Sequence, residues 1–321
     1  MNTEANDAEF VHTFEGVGSC PNCSYVLPRL VECAPAYFEN GYVTCTHCGK
    51  AVELWQAALD RATRLSHIAT WAIESLGAAQ TSFVMQMETG KHYQIQLTEY
   101  EVPANAKILA RRYAAQGGEE GLVTALEWHP NDPVHRIRGT VLHLLAIPLM
   151  EGPVPRKGPV LIRITWIRSG DSDAWLYLVT AFEAAAACEY APAMVFAQSA
   201  VEISMMPLIE SRFQLHAPES KVRRFTNYDR ALNVILPYLC GEAGIAQMPA
   251  TVHEALDILR DKRNKIIHRG AKVAMITPKD AMEGLCAAAF GFEYMRYVRP
   301  VLTKTTGIPT SQSDSEGEQR A

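Results

Sequence analysis

The spacing of apolar residues changes twice along the chain, and each change marks a change of element. Apolar side chains recur every three or four positions from 50 to 76, which predicts a connecting helix placed at 53–78. From 79 to 170 the period shortens to two. Strands are expected at 81–88 and 92–99 around Thr89-Gly90-Lys91, a hairpin signal, and again near 122–128, 139–149 and 159–168, where LIRITWIR alternates. A helix is expected near 104–115. Together these predict a small α+β middle domain with a half-exposed antiparallel sheet. Across 173–303 the helical period returns in APAMVFAQSAVEISMMPLIESRF, NYDRALNVILPYL, LRDKRNKIIHRG and KDAMEGLCAAAFGFEYMRYV, which predict an all-helical block. The two ends, 1–13 and 304–321, are polar and predict disorder.

Cysteine spacing adds a further unit at 14–52. Cys20-Pro-Asn-Cys23 and Cys45-Thr-His-Cys48 are two C-x2-C knuckles separated by 21 residues. This is close to the spacing of a structural zinc ribbon, in which four thiolates close a tetrahedron and leave no open position for catalysis. Gly49 follows the second knuckle, where a ribbon turn favours glycine. The alternative is a redox pair, against which stand the presence of two pairs and the lack of a βαβ setting. Cys33, between the knuckles, reads as a packed thiol and His47 as a surface residue. The ribbon has few basic residues, Arg29 and Lys50 against Glu15, Glu32 and Glu39, so a structural role or a protein partner suits it better than nucleic acid. The fold class expected from all this is multidomain α+β.

Composition excludes some classes of function. The chain has 321 residues, 48% of them hydrophobic, which is ample for cores in two or three domains. A formal charge of −5 argues against a general nucleic-acid coat protein, while leaving room for a local basic site. Four of eight cysteines lie in knuckles, and Cys188, Cys240 and Cys286 are isolated, which points to a reducing, cytoplasmic setting. MNTEANDAEF is acidic without an apolar stretch, so no signal peptide is expected. No uninterrupted apolar run reaches the length of a membrane span, and no membrane association is expected. Thr89-Gly90-Lys91 lacks the earlier glycine of a phosphate loop, and Gly16-Val-Gly18 precedes a knuckle instead of following a strand. His92, His129, His135 and His143 have no spacing that links them to a nucleophile or a metal.

The segment with the most chemistry lies in the penultimate helix. On a wheel started at Val252, Ala255, Leu256, Leu259, Ile266 and Ile267 fall within about 60° and define an apolar stripe, and Arg263 falls roughly 20° from its centre. A guanidinium placed among aliphatic side chains is costly unless an anion or acceptors meet it. His268 lies about 140° further round, in the last turn before Gly270, on the face shared by Arg260 and Asn264. The plain alternative is an amphipathic helix with a snorkelling arginine and a terminal histidine that favours the dipole.

Arg263-Asn264-x-x-x-His268, at the end of the penultimate helix of an all-helical block, resembles the motif of the HEPN (higher-eukaryote and prokaryote nucleotide-binding) family. The resemblance covers about 120 residues, roughly 182–302, and Glu202 in AVEISMM is similar to a glutamate of the family's early helix. It implies an up-and-down helical bundle, a homodimer, and in active members a metal-independent endoribonuclease with Arg263, His268 and Asn264 as site residues. The family also includes members that keep the fold without activity. The chemistry suits these residue types. Histidine can take a proton from the 2′-OH or give one to the leaving oxygen, arginine can hold two phosphoryl oxygens, and the Asn264 amide can orient the imidazole or touch the phosphate. One histidine per chain suits one proton transfer, and a two-fold dimer would supply the second. Arg260, Lys265, Arg223 and Arg224 are candidate RNA contacts, the last two beside Phe225 and Tyr228. Three readings remain: an RNase of toxin or defence type, an inactive nucleotide-, RNA- or protein-binding module, and an adaptor whose ribbon is the working surface.

Overall fold

The computed structural model describes residues 16–64, 78–116, 122–127, 141–149, 156–168, 173–214, 227–269 and 275–304. Arg223, Arg224, Phe225, His129, His135, Gly270 and most of the two polar ends lie outside them. The chain divides into two compact units, the first made of the residues up to 76 and from 172 onward, the second of 77–171. The ribbon and the helical block, expected as separate domains, are thus one unit.

The ribbon contains helix α1 (Leu30–Asn40), strands β1 (Val43–Thr44) and β2 (Ala51–Val52), and then helix α2 (Leu54–Arg64). The strands pair antiparallel, Val43 opposite Val52. Gly41 ends α1 in the left-handed conformation at φ 76°, its N–H bonded to the Tyr37 carbonyl at 2.7 Å. Glu53 starts α2 by accepting from the backbone N–H groups of Trp55 and Gln56, and the Tyr37 hydroxyl donates to it at 2.9 Å. One carboxylate therefore caps α2 and ties it to α1.

The bundle consists of α3 (Asp173–Ala186), α4 (Tyr190–Gln214), α5 over 228–242, α6 (Ala250–Arg269) and α7 (Pro278–Lys304). Within α5, Ala231–Ile235 forms a π turn. α7 is the centre and packs on α4, α6, α3, α1 and α2. Its small residues permit this: a Cβ at Gly284 would lie 2.5 Å from Met194 Sδ, and one at Gly291 3.1 Å from Leu256. On α6, Val252, Leu256 and Leu259 are fully buried, as the stripe predicts, but Ile267 is 53% exposed because the packing has ended by the last turn. The stretch Tyr190–Arg212 of α4 is long and apolar enough to cross a membrane, yet 56% of its apolar window is buried within the protein, as in a core helix.

The second unit holds two antiparallel three-stranded sheets, β3 (Ala79–Glu88), β8 (Lys157–Arg168) and β5 (Ala106–Ala115) in one, and β4 (His92–Gln96), β7 (Val141–Pro148) and β6 (Val123–Glu127) in the other. Alternate residues meet in one core that includes Met87, Ile95, Leu144, Ile162 and Ile164. Two expectations fail here. The helix expected near 104–115 is instead the strand Ala106–Ala115: nine residues of β5 pair with β8, and this long ladder overrides the helix preference of Ala, Lys, Leu and Arg. Thr89-Gly90-Lys91 joins two sheets and is not a hairpin. β3 finds a ten-residue partner in β8, and the turn bonds to both sheets, Thr89 N–H to the Arg156 carbonyl and Gly90 N–H to that of Ala146. The sheet is also less exposed than expected, since Arg163 and Thr165 on the alternate face of β8 are 7% and 4% exposed.

Candidate functional site

The four knuckle cysteines converge. Cys20 and Cys48 Sγ lie 3.7 Å apart, as do Cys23 and Cys45, and all four sulfurs fall within 4.8 Å of one another. These separations are far beyond a disulfide bond of about 2.05 Å. They match the edges of a tetrahedron, about 3.8 Å, around an ion held at about 2.3 Å from each sulfur. The group can therefore hold a metal ion. Both knuckles turn the same way: the N–H of Ser24 bonds to the Cys20 carbonyl and that of Gly49 to the Cys45 carbonyl, with φ of 60° and 71° four residues after the first cysteine. The second knuckle has glycine at this position, and the first places serine in the left-handed region.

The two cysteines of the first knuckle are pushed in opposite directions. Burial opposes ionisation of Cys20, but the backbone of Asn22 and Cys23 outweighs it and brings the thiol down to about 6. Cys23 has the N–H of Tyr25 in its favour, yet burial and the three other sulfurs push it up to about 12. Four thiolates cannot stand this close without a cation between them. Cys33 is outside the cluster; it is buried, donates to the Arg29 carbonyl at 3.2 Å, and is pushed up to about 12 by burial. His47 is exposed and stacks on Tyr25 at 5.1 Å, so one aromatic pair joins the two knuckles.

The other candidate residues lie along α6, and the structure treats its cations differently. Arg260 is surrounded by Asp229, Asp257 and Asp261, with Asn233 bridging Asp229 and Asp257. That charge is already answered within the fold. Lys262 pairs with Asp280 at the start of α7. Arg263 has no carboxylate partner among the described residues: its Nη1 donates to Asn264 Oδ1 at 3.1 Å, and its Nε is buried without a hydrogen bond. Lys265, His268 and Arg269 are exposed on the last turns of the helix. Glu202 is half-buried on α4, close enough to act on Tyr228 along with Asp257. Sequence reasoning missed the carboxylates around Arg260. Asp257 was findable as an i,i+3 partner on the same helix, whereas Asp229 arrives from α5 with no local signal.

Comparisons of the chain with protein-family models, with curated proteins and with solved structures find no match. The reading of function therefore rests on the site itself.

Proposed function

We propose that the chain is a metal-independent endoribonuclease of HEPN type, with Arg263 holding the scissile phosphate, His268 transferring a proton and Asn264 positioning the guanidinium. The observation that carries this reading is the unanswered charge of Arg263. Its neighbours Arg260 and Lys262 are matched by carboxylates, while Arg263 keeps a buried Nε with nothing to bond. A guanidinium in that state is a site for an anion, and a phosphodiester offers two oxygens to its fork. In cleavage, the 2′-oxygen attacks phosphorus, its proton passes to a base, the P–O5′ bond breaks, and the leaving oxygen takes a proton.

Arg263 and His268 are five positions apart, with four residues between them, which places them about 140° apart around one helix. We therefore assign the pair to a homodimer in which two motifs face one another. The same angle favours the second reading, an inactive RNA- or protein-binding module, if the chain acts as a monomer. The ion at the four cysteines is zinc in this proposal. A closed S4 tetrahedron stabilises the ribbon and takes no part in cleavage, and the ribbon's exposed residues, Tyr25 and His47 among them, are the part left to dock a protein. A toxin or defence role, in the cytoplasm, follows from a nuclease of this kind and rests on it.

Incubation of the dimeric protein with mixed cellular RNA in EDTA, with circular dichroism in the same buffer to show that the fold is kept, tests the proposal. Wild type is expected to leave fragments ending in 2′,3′-cyclic phosphate, and Arg263→Ala and His268→Ala to leave none. Cleavage that persists in His268→Ala, or ends that carry 3′-OH, would overturn it. Elemental analysis of the purified protein is expected to return one zinc per chain.

A further inference from the structure

The bundle carries a concavity that the proposed nuclease does not use. It lies between α2, α4, α6 and α7, has a volume of about 240 Å³, and has Trp55, Met194 and Ala255 among its apolar walls. Acidic residues line the same space: Glu254 on α6 and Asp280 and Glu283 on α7. Their charges are unequally answered. Asp280 is bound to Lys262, and Glu283 lies 3.8 Å from a Lys279 whose side chain is 79% exposed, a contact worth little in water. Glu254 is exposed and meets no cation among the described residues.

We infer that this cavity is a binding site for a small organic ammonium ion with a compact apolar body. The apolar walls give the body a place to leave water, and an aromatic wall suits a cation better than an anion. The volume is below the roughly 300–1,000 Å³ of sites for drug-sized ligands, which limits the body to about one ring and a short arm. The sign of the charge follows from the carboxylates. An anion would meet Glu254 and Glu283, and a neutral ligand would leave their charge unused. Neither Arg263 nor His268 takes part, so the inference stands apart from the nuclease reading.

The test is a calorimetric titration of the full-length protein with three probes of one shape: 2-phenylethylamine, 2-phenylethanol and 3-phenylpropionate. The ammonium is expected to saturate a single site about tenfold more tightly than the alcohol, with the carboxylate weaker than both. Glu254→Gln with Glu283→Gln is expected to bring amine and alcohol within about twofold of each other, the charge-assisted part having been removed. Ala255→Phe fills the cavity and is expected to abolish binding of all three, with a thermal melt to show that the fold is kept. Equal affinity for amine and alcohol in wild type, absence of any saturable binding, or an undiminished amine preference in the folded double variant would each overturn the inference.

Discussion

Arg263 shows what a buried guanidinium without an ion partner costs its fold. Its Nε is buried without a hydrogen bond, and among the described residues the guanidinium is met only by the Asn264 oxygen. Arg263→Leu would extend the stripe of Val252, Leu256 and Leu259. The expected result in a denaturant titration is an unfolding free energy that is unchanged or higher by about 1 kcal/mol, together with loss of RNA cleavage. A clear fall in stability would show that the arginine is a packed structural residue instead. Ser24 makes the opposite case. It holds the left-handed conformation that Gly49 holds in the second knuckle, and L residues pay about 1–2 kcal/mol there. Ser24→Gly is expected to raise the stability of the metal-loaded protein by about 1 kcal/mol in a denaturant titration, with metal content unchanged.

At the scale of the element, α7 carries two carboxylates whose surroundings push them in opposite directions. Asp280 is the third residue of the helix: its N–H bonds to Thr277 Oγ1, the Thr277 N–H bonds back to its carboxylate at 2.9 Å, and Lys262 pairs with it. Burial opposes its charge, but Lys262 and Thr277 outweigh it and hold the carboxyl at about 2, below its ordinary 3.8. That contribution is in place above about pH 4 and is lost as pH falls toward 2, so Asp280→Asn is expected to flatten the acid limb of the stability curve by about 1 kcal/mol, reduced from the full shift because solvent screens the group. Glu293 is 3% exposed and is pushed up to about 7 by burial, with Arg296 only partly offsetting it. Its folded value lies above the ordinary 4.5, so this contribution is complete below pH 4.5 and is lost as pH rises through 7. Glu293→Gln is expected to stabilise the protein at pH 8 by roughly 2–3 kcal/mol and to change little at pH 4, measured by thermal unfolding across that range. The bundle helices α4 to α7 are legible in the sequence from their helical period, whereas α1, Leu30–Asn40 inside the ribbon, carries no such signal. β5 is not legible either, because Ala106–Ala115 has helix-forming residues and only its ladder with β8, some 50 residues later, makes it a strand.

At the scale of the whole molecule, the knuckles are the most legible part of the candidate site and their setting is the least. Thiol spacing is a local signal, so Cys20, Cys23, Cys45 and Cys48 stand out without knowledge of the fold. What the ribbon packs against depends on residues more than 200 positions away. α1, the helix between the knuckles, places Tyr37 against Phe290 at 5.6 Å and Phe38 against Tyr294 at 5.1 Å, and the Tyr297 hydroxyl reaches Glu39. Trp55, just after the second knuckle, meets Phe290 at 5.5 Å. Aromatic contacts of this kind add about 0.5–1.5 kcal/mol each beyond the area they bury. The ribbon is therefore part of the bundle's core, and an ion held by its four cysteines would support α7, the helix on which the rest of the unit packs. Removal of the metal with a strong chelator is expected to lower the melting temperature of the helical signal itself, in one cooperative transition, and Cys45→Ser is expected to do the same without chelator. An independent ribbon would behave otherwise: the chelator would release the metal, leave the helical melt where it was, and produce a separate early transition. Near-ultraviolet circular dichroism, which reports the packed aromatics of α1 and α7, followed alongside the far-ultraviolet helix signal, distinguishes the two.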